Sequence, residues 1–112
     1  MEKSIRHINP IDAFNMLEEG ETLTIVDVRE PSEYTGDMGH IEGSLNIPLS
    51  DLNRILSEMN LPRSHPIAFI CATGERSLYA SKHAADLGFS NPMNIRGGMV
   101  QWHLSGLEVT YE

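Results

Sequence analysis

Two short, almost uninterrupted apolar runs place the strongest limit on the fold. Residues 23–28 read Leu-Thr-Ile-Val-Asp-Val, and residues 66–70 read Pro-Ile-Ala-Phe-Ile. Strands without an apolar–polar alternation are typical of parallel sheets, because such sheets are covered on both faces. Helical patterns alternate with strand patterns along the rest of the chain. The sequence therefore predicts an α/β fold with a mostly parallel sheet.

The other predicted elements continue this alternation. Shorter strands are predicted over residues 4–8, 44–47 and 92–95, and helices over residues 10–20, 29–34, 52–59, 77–87 and 97–106. Asn9 and Ser50 are predicted N-caps, and Met99 and Trp102 are predicted core residues at helical spacing. No repeat, linker or low-complexity stretch interrupts the pattern. We therefore expect one domain over residues 1–112, with its core over about residues 5–109.

Composition excludes several classes of function. The net charge of −8, from 16 acidic and 8 basic residues, argues against nucleic acid or an anionic membrane as partner. A single cysteine excludes an internal disulfide and a multi-cysteine metal cage. Neither a signal peptide nor an apolar run near the ~20 residues of a membrane span is visible. We expect a cytoplasmic protein with a free thiol and no cofactor.

The histidines do not suggest a metal site. Metal-ligand spacing is missing among four of them: His7, His65, His83 and His103. We therefore expect no bound metal.

Cys71 is the residue around which a reaction could be built. It closes the second apolar run and opens the turn Cys-Ala-Thr-Gly-Glu-Arg, which leads into a helix. Unpaired N–H groups at a helix start and in a glycine-containing turn favour the thiolate, which is the nucleophilic form. Arg76 can reach over the same concavity and hold an anion with its planar guanidinium. The alternative, a buried thiol that serves only as a small apolar group, fits this context less well.

Four segments, in order, resemble the rhodanese-like family of sulfurtransferases. Residues 25–29 resemble its strand ending in Asp-x-Arg. Residues 33–34 and 39–48 resemble its Gly-His-Ile and Asn-Ile-Pro landmark. Residues 71–76 occupy the place of its active-site loop, and residues 97–109 resemble its closing segment. The resemblance covers nearly the whole chain and implies a single domain with a five-stranded, mostly parallel sheet flanked by helices on both faces.

The resemblance also implies a reaction. Cys71 would take a sulfane sulfur from thiosulfate or a persulfide, hold it as a persulfide, and pass it to a thiol or to cyanide. The implied partners are a small anionic sulfur donor, a thiol acceptor and, as a further candidate, a protein that carries a persulfide. Arg76 would be catalytic with Cys71. The substrate-binding loop would consist of Ala72, Thr73, Gly74, Glu75 and Arg76, whose amides would stabilise the anionic sulfur.

Three other functions remain open at this point. Cysteine-dependent phosphatases and arsenate reductases are one class, but phosphatases have Cys-x5-Arg, whereas this chain has the shorter Cys-x4-Arg. A persulfide carrier or docking module with little turnover on small donors is the second. A non-catalytic regulatory domain is the third, and the presence of both Cys71 and Arg76 argues against it.

Residues around the loop are expected to support the site. Asp27 is predicted to be a buried acceptor for loop amides or Arg29, with a general base as the alternative. Arg29 is predicted to pair with a carboxylate beneath the site. His40 is predicted to be a structural hydrogen-bond donor rather than the base of a Cys–His dyad.

The surroundings of the loop also bear on the choice of sulfur donor. Glu75 is predicted to disfavour the thiosulfate dianion, unless it faces solvent or pairs with Lys82 or another cation. Four residues, 35–38, separate Tyr34 from Gly39, where family members often have about two, and this longer loop is expected near the rim of the site.

Overall fold

Five parallel strands form one sheet in the computed structural model, which describes residues 5–112. They are β1 (Arg6–Ile8), β2 (Thr24–Asp27), β3 (Leu45–Asn46), β4 (Ile67–Ile70) and β5 (Pro92–Ile95). Their order across the sheet is β1-β5-β4-β2-β3, and each described pairing is parallel. This confirms the predicted five-stranded parallel sheet. Ser4, the predicted start of the first strand, lies outside the described residues.

Helices cover both faces of the sheet. They are α1 (Pro10–Glu18), α2 (Pro31–Tyr34), α3 (Leu52–Glu58), α4 (Glu75–Asp86) and α5 (Gly98–Leu104). Helices α1 and α5 pack on one face, where Trp102 and Met99 are buried as predicted. Helices α3 and α4 pack on the other face around Phe69. Within residues 5–112, no helix is both long and apolar enough to cross a membrane.

Burial of β4 explains its apolar sequence. All four of its residues, from Ile67 to Ile70, have no exposed surface. Fully burying a side chain such as Phe69 contributes about 1.5–3 kcal/mol relative to leaving it exposed. Ala80 and Ala84 of α4 are buried over the same face, and their small side chains let this helix approach the sheet closely.

The predicted start of α4 and the predicted N-cap of α3 were wrong. Helix α4 begins at Glu75 and not at residue 77, because Gly74 is its N-cap, so Glu75 and Arg76 lie in the first helical turn. Residues Leu49–Asp51 form a 3-10 helix that runs directly into α3. Ser50 therefore lies inside this 3-10 helix, and the N-cap position of α3 is held by Asp51.

The order of the strands places a crevice beside Cys71. From β2 the chain continues to β3 on one side of the sheet, and from β4 it continues to β5 on the other side. Since β2 and β4 are neighbours, their connections leave in opposite directions at the carboxyl edge. Ligands of open α/β sheets bind at such a switch point. Asp27 ends β2 and Cys71 follows β4, so both lie at this edge.

Candidate active site

The thiol of Cys71 lies beneath the start of α4. Cys71 is 1% exposed. Its Sγ accepts the backbone N–H of Gly74 at 3.0 Å and that of Ser77 at 3.4 Å. Gly74 has φ 115°, a left-handed conformation that favours glycine. Two N–H dipoles therefore point at the sulfur, and they stabilise negative charge that develops on it.

The start of α5 holds the first peptides of the loop in place. The N–H of Met99 donates to the Cys71 carbonyl at 2.8 Å, and the N–H of Val100 donates to the Ala72 carbonyl at 3.1 Å. A Cβ atom on Gly98 would overlap both of these carbonyl oxygens. Glycine at position 98 is therefore required by the close approach of two backbones next to the thiol.

Two buried polar side chains extend the site behind Cys71. Ser77 Oγ lies 3.4 Å from Cys71 Sγ and 2.6 Å from Asn94 Oδ1. Asn94 Nδ2 in turn lies 3.3 Å from Nδ1 of the exposed His7. When the sulfur is a thiol, it donates to Ser77, which then donates to Asn94. When the sulfur is an anion, the single hydroxyl proton of Ser77 can turn toward it instead.

Ser77 and Asn94 were not predicted from the sequence to be site residues. The available signal was Asn94 itself, a polar side chain inside a strand whose four residues are all buried. Such a side chain needs a hydrogen-bond partner, and the partner here is the residue that follows Arg76.

Arg76 is engaged by an ion pair. Its two terminal nitrogens donate to the two carboxylate oxygens of Glu33 at 2.8 and 2.9 Å, and each side chain is 36% exposed. This hydrogen bonding lowers the pKa of Glu33 to about 2 and raises the pKa of Arg76. From the sequence, we expected the guanidinium to lie free over the loop. In the structure its planar edge is already occupied by a carboxylate.

Asp27 and Arg29 form a buried ion pair at the end of β2. Neither residue has exposed surface, and Arg29 Nη2 lies 2.7 Å from Asp27 Oδ2. Arg29 also donates to the carbonyl oxygens of Glu33 at 3.2 Å and Gly39 at 2.8 Å. The pair therefore holds both α2 and the segment that follows it. Removing one partner of such a pair leaves a buried charge uncompensated.

Two further candidates have partners outside the immediate environment of the sulfur. His40 Nδ1 lies 2.8 Å from the Tyr34 carbonyl oxygen, and the two rings stack at 3.6 Å between centroids. Glu75 Oε2 accepts the hydroxyl of Thr73 at 3.1 Å. Glu75 is exposed, which agrees with the alternative prediction that it faces solvent, and its described hydrogen bond is to Thr73 and not to Lys82.

The longer loop after Tyr34 borders an open cavity. This cavity has a volume of about 340 Å³ and is lined by Arg29, Ser32, Glu33, Gly36, Asp37 and Met38. Three of the four residues of the loop, 36–38, belong to this lining. The loop therefore lies beside the Glu33–Arg76 pair. Among residues 5–112, no group of three or more His, Cys, Asp and Glu side chains is arranged to bind a metal ion.

Known proteins share this fold over nearly the whole chain. The crystal structure of a rhodanese-related protein from Thermoplasma volcanium superposes with a TM-score of 0.82 at 36% identity, and the match covers 96% of this chain and 99% of that one. A protein named Sulfurtransferase from Allochromatium vinosum is 29% identical over 105 residues, which make up 91% of this chain and 94% of that protein.

A longer relative matches with only part of its length. The probable adenylyltransferase/sulfurtransferase MoeZ from Mycobacterium tuberculosis is 35% identical over 95 residues, or 85% of this chain. This chain spans 24% of that relative. The sequence profile described as Rhodanese-like domain matches residues 10–105. The chain therefore belongs to the rhodanese-like domain family.

Proposed function

We propose that the protein is a sulfurtransferase that carries a sulfane sulfur as a persulfide on Cys71. The observation that carries this proposal is the pair of backbone N–H groups, from Gly74 and Ser77, directed at a thiol at the carboxyl edge of the sheet. They can stabilise the anionic sulfur of a thiolate or a persulfide. Membership of the family and the relative named Sulfurtransferase support the same chemistry.

The reaction has two steps. The Cys71 thiolate attacks the outer sulfur of the donor, a new S–S bond forms to Sγ, and the old bond to that sulfur breaks. Its electron pair leaves with the donor, as sulfite from thiosulfate or as a thiolate from a persulfide. An acceptor thiolate or cyanide then attacks the outer sulfur of the Cys71 persulfide and regenerates the Cys71 thiolate.

The geometry favours sulfur over phosphate as the transferred group. Cys71 is 1% exposed, and so narrow an access favours a slim reagent over a tetrahedral phosphate ester. The Cys-x4-Arg loop is one residue shorter than the Cys-x5-Arg loop of cysteine-dependent phosphatases. Arg76, which would have to hold a phosphate, is bound to Glu33.

Mass spectrometry of the intact protein tests this function. After incubation with thiosulfate, or with the hydropersulfide of cysteine, the protein should gain one sulfur atom, and cyanide should then remove it as thiocyanate. The Cys71→Ser variant should keep the fold, as judged by circular dichroism, and gain no sulfur, because a hydroxyl cannot form a persulfide. Failure of the unaltered protein to gain sulfur from any sulfane donor would refute the proposal.

A further inference from the structure

We propose that Glu33 selects the sulfur donor: by occupying Arg76 it disfavours thiosulfate, a dianion, and favours persulfides. This inference rests on the proposed sulfur transfer through Cys71. It assigns donor selection to a residue outside the loop, at the end of α2. The favoured donors are persulfides that carry no net negative charge beyond the one on the persulfide sulfur itself.

The ion pair occupies the edge of Arg76 that an anion would use. Both terminal nitrogens of Arg76 donate to Glu33, one to each carboxylate oxygen, at 2.8 and 2.9 Å. Bidentate pairs of this kind are among the strong hydrogen bonds of proteins. A dianion that needs this edge of Arg76 must displace Glu33 from it. A persulfide, attacked at its outer sulfur, does not depend on that displacement.

Glu33 is also fixed in position. Its Oε1 accepts the backbone N–H of Glu30 at 3.0 Å, so it helps to cap α2. Its carbonyl oxygen accepts a hydrogen bond from the buried Arg29. The Glu33 backbone is thus tied to the ion pair beneath the sheet edge. Swinging the carboxylate away would break the cap as well as the pair with Arg76.

The charge in the cavity beside Glu33 acts in the same direction. In the cavity beside the ion pair, the charged lining side chains are Arg29, Glu33 and Asp37. Arg29 is already paired with the buried Asp27. Glu33 is likewise paired, with Arg76. The carboxylate of Asp37 remains, and the chain as a whole has a net charge of −8. A donor that brings two negative charges therefore meets repulsion, which salt screens over about 8 Å at physiological ionic strength.

The two donors differ in the charge that they bring to the thiolate. With thiosulfate, the Cys71 thiolate attacks the outer sulfur, the S–S bond breaks, and sulfite leaves with its electron pair and two negative charges. With a hydropersulfide R–S–SH, the same attack releases R–S⁻, and the proton stays on the transferred sulfur. The first reaction gathers three negative charges at the site, whereas the second gathers one with the neutral hydropersulfide and two with its anion.

The Glu33→Gln variant tests the inference. Glutamine keeps an oxygen that can accept the Glu30 N–H, but it removes the charge that holds Arg76. The rate of persulfide formation on Cys71 is measured by intact mass with thiosulfate and, separately, with the hydropersulfide of cysteine. We expect the thiosulfate rate to rise by a factor of up to about five, which corresponds to the loss of a single exposed ion pair, and the gain to shrink at high salt. The hydropersulfide rate should change far less.

Two other variants serve as comparisons. Glu58→Gln removes an exposed charge on α3, where Glu58 meets Arg54, and should leave both rates unchanged. Glu75→Gln removes a charge from the start of α4 without touching the ion pair. If Glu75→Gln raised the thiosulfate rate as much as Glu33→Gln, general repulsion and not the occupied Arg76 would set donor choice, and the inference would fail.

The remaining outcomes separate this inference from the proposed function. Equal rates with both donors in the unaltered protein, or no change in Glu33→Gln, would overturn the inference while sulfur transfer stood. Absence of persulfide from either donor would instead refute sulfur transfer itself. Should Glu33→Gln not fold, sulfate provides a test in the unaltered protein. As a dianion it should not slow loading from hydropersulfide, and strong inhibition by sulfate would overturn the inference.

Discussion

The hydroxyl of Ser77 is shared between the sulfur of Cys71 and the amide of Asn94. Removing it in Ser77→Ala leaves the buried Asn94 Oδ1 without its 2.6 Å donor. An unsatisfied buried acceptor costs about 1–3 kcal/mol, so we expect a loss of that size in the free energy of unfolding, measured in urea. The Asn94→Leu variant removes the acceptor atom, Asn94 Oδ1, itself.

The double variant distinguishes coupling from independent damage. Ser77→Ala with Asn94→Leu should lose less stability than the sum of the two single variants, because no unpaired Oδ1 remains. Additive losses would mean that the two side chains act separately. Persulfide formation in Ser77→Ala should also be slower, since the hydroxyl can no longer turn toward the anionic sulfur.

At the scale of elements, the Glu33–Arg76 pair joins α2 to α4, and its effect on stability should depend on pH. The pKa of Glu33 is lowered from 4.5 to about 2, chiefly by the hydrogen bond from Arg76. A lowered carboxyl pKa stabilises the fold above the unfolded value and loses this effect as the pH falls toward the folded value. The pair should therefore contribute fully above about pH 4.5 and vanish near pH 2.

Urea unfolding at a series of pH values checks this prediction. Both side chains are 36% exposed, so solvent screening should keep the contribution at about 1 kcal/mol or less. The difference in stability between the unaltered protein and Glu33→Gln should be largest near neutral pH and should disappear toward pH 2. A difference that grew as the pH fell would contradict the ion pair as its source.

The close contact between α5 and the loop after β4 should make Gly98 sensitive to substitution. Gly98→Ala places a methyl group against the carbonyl oxygens of Cys71 and Ala72, at a residue with φ 59°. Gly43→Ala is the matched control, because Gly43 has φ 84° but its new methyl group would meet no atom within 4 Å. The control should lose about 1–2 kcal/mol, the cost of the left-handed conformation alone.

Gly98→Ala should lose clearly more than this control in urea unfolding, because the overlap adds to the backbone cost. It should also slow persulfide formation, since the Cys71 peptide must shift to make room. Equal losses in the two variants would show that the peptides at the start of α5 and after β4 are not held as tightly as the structure describes.

At the scale of the whole molecule, local patterns predicted the sheet and the place of Cys71. The buried runs identified β2 and β4, and glycines marked the ends of helices, as Gly20 and Gly106 do just beyond α1 and α5. The start of α4 was misjudged because a turn and a first helical turn contain the same residue types. The left-handed backbone conformation of Gly74 makes this residue the N-cap, so the helix begins at Glu75.

The pairings across the site could not be predicted in this way. Glu33 and Arg76 are 43 residues apart, and Ser77 and Asn94 are 17 apart. No spacing rule connects such residues, because they meet only once the strand order is set. Glu33 lies in a segment that resembles a family motif, yet its role as the partner of Arg76 depends on how α2 packs beside α4.

For the proposed persulfide, the near-complete burial of Cys71 should also affect how long the loaded sulfur stays on the protein. Thiols in bulk solution collide with the surface constantly, but a sulfur that lies beneath a helix start is out of reach of most of these collisions. Its dwell time is then set by the arrival of a suitable acceptor and not by the total thiol concentration around it. If sulfur transfer runs as proposed, the protein would hold one reactive atom in reserve between two encounters without losing it to the solvent.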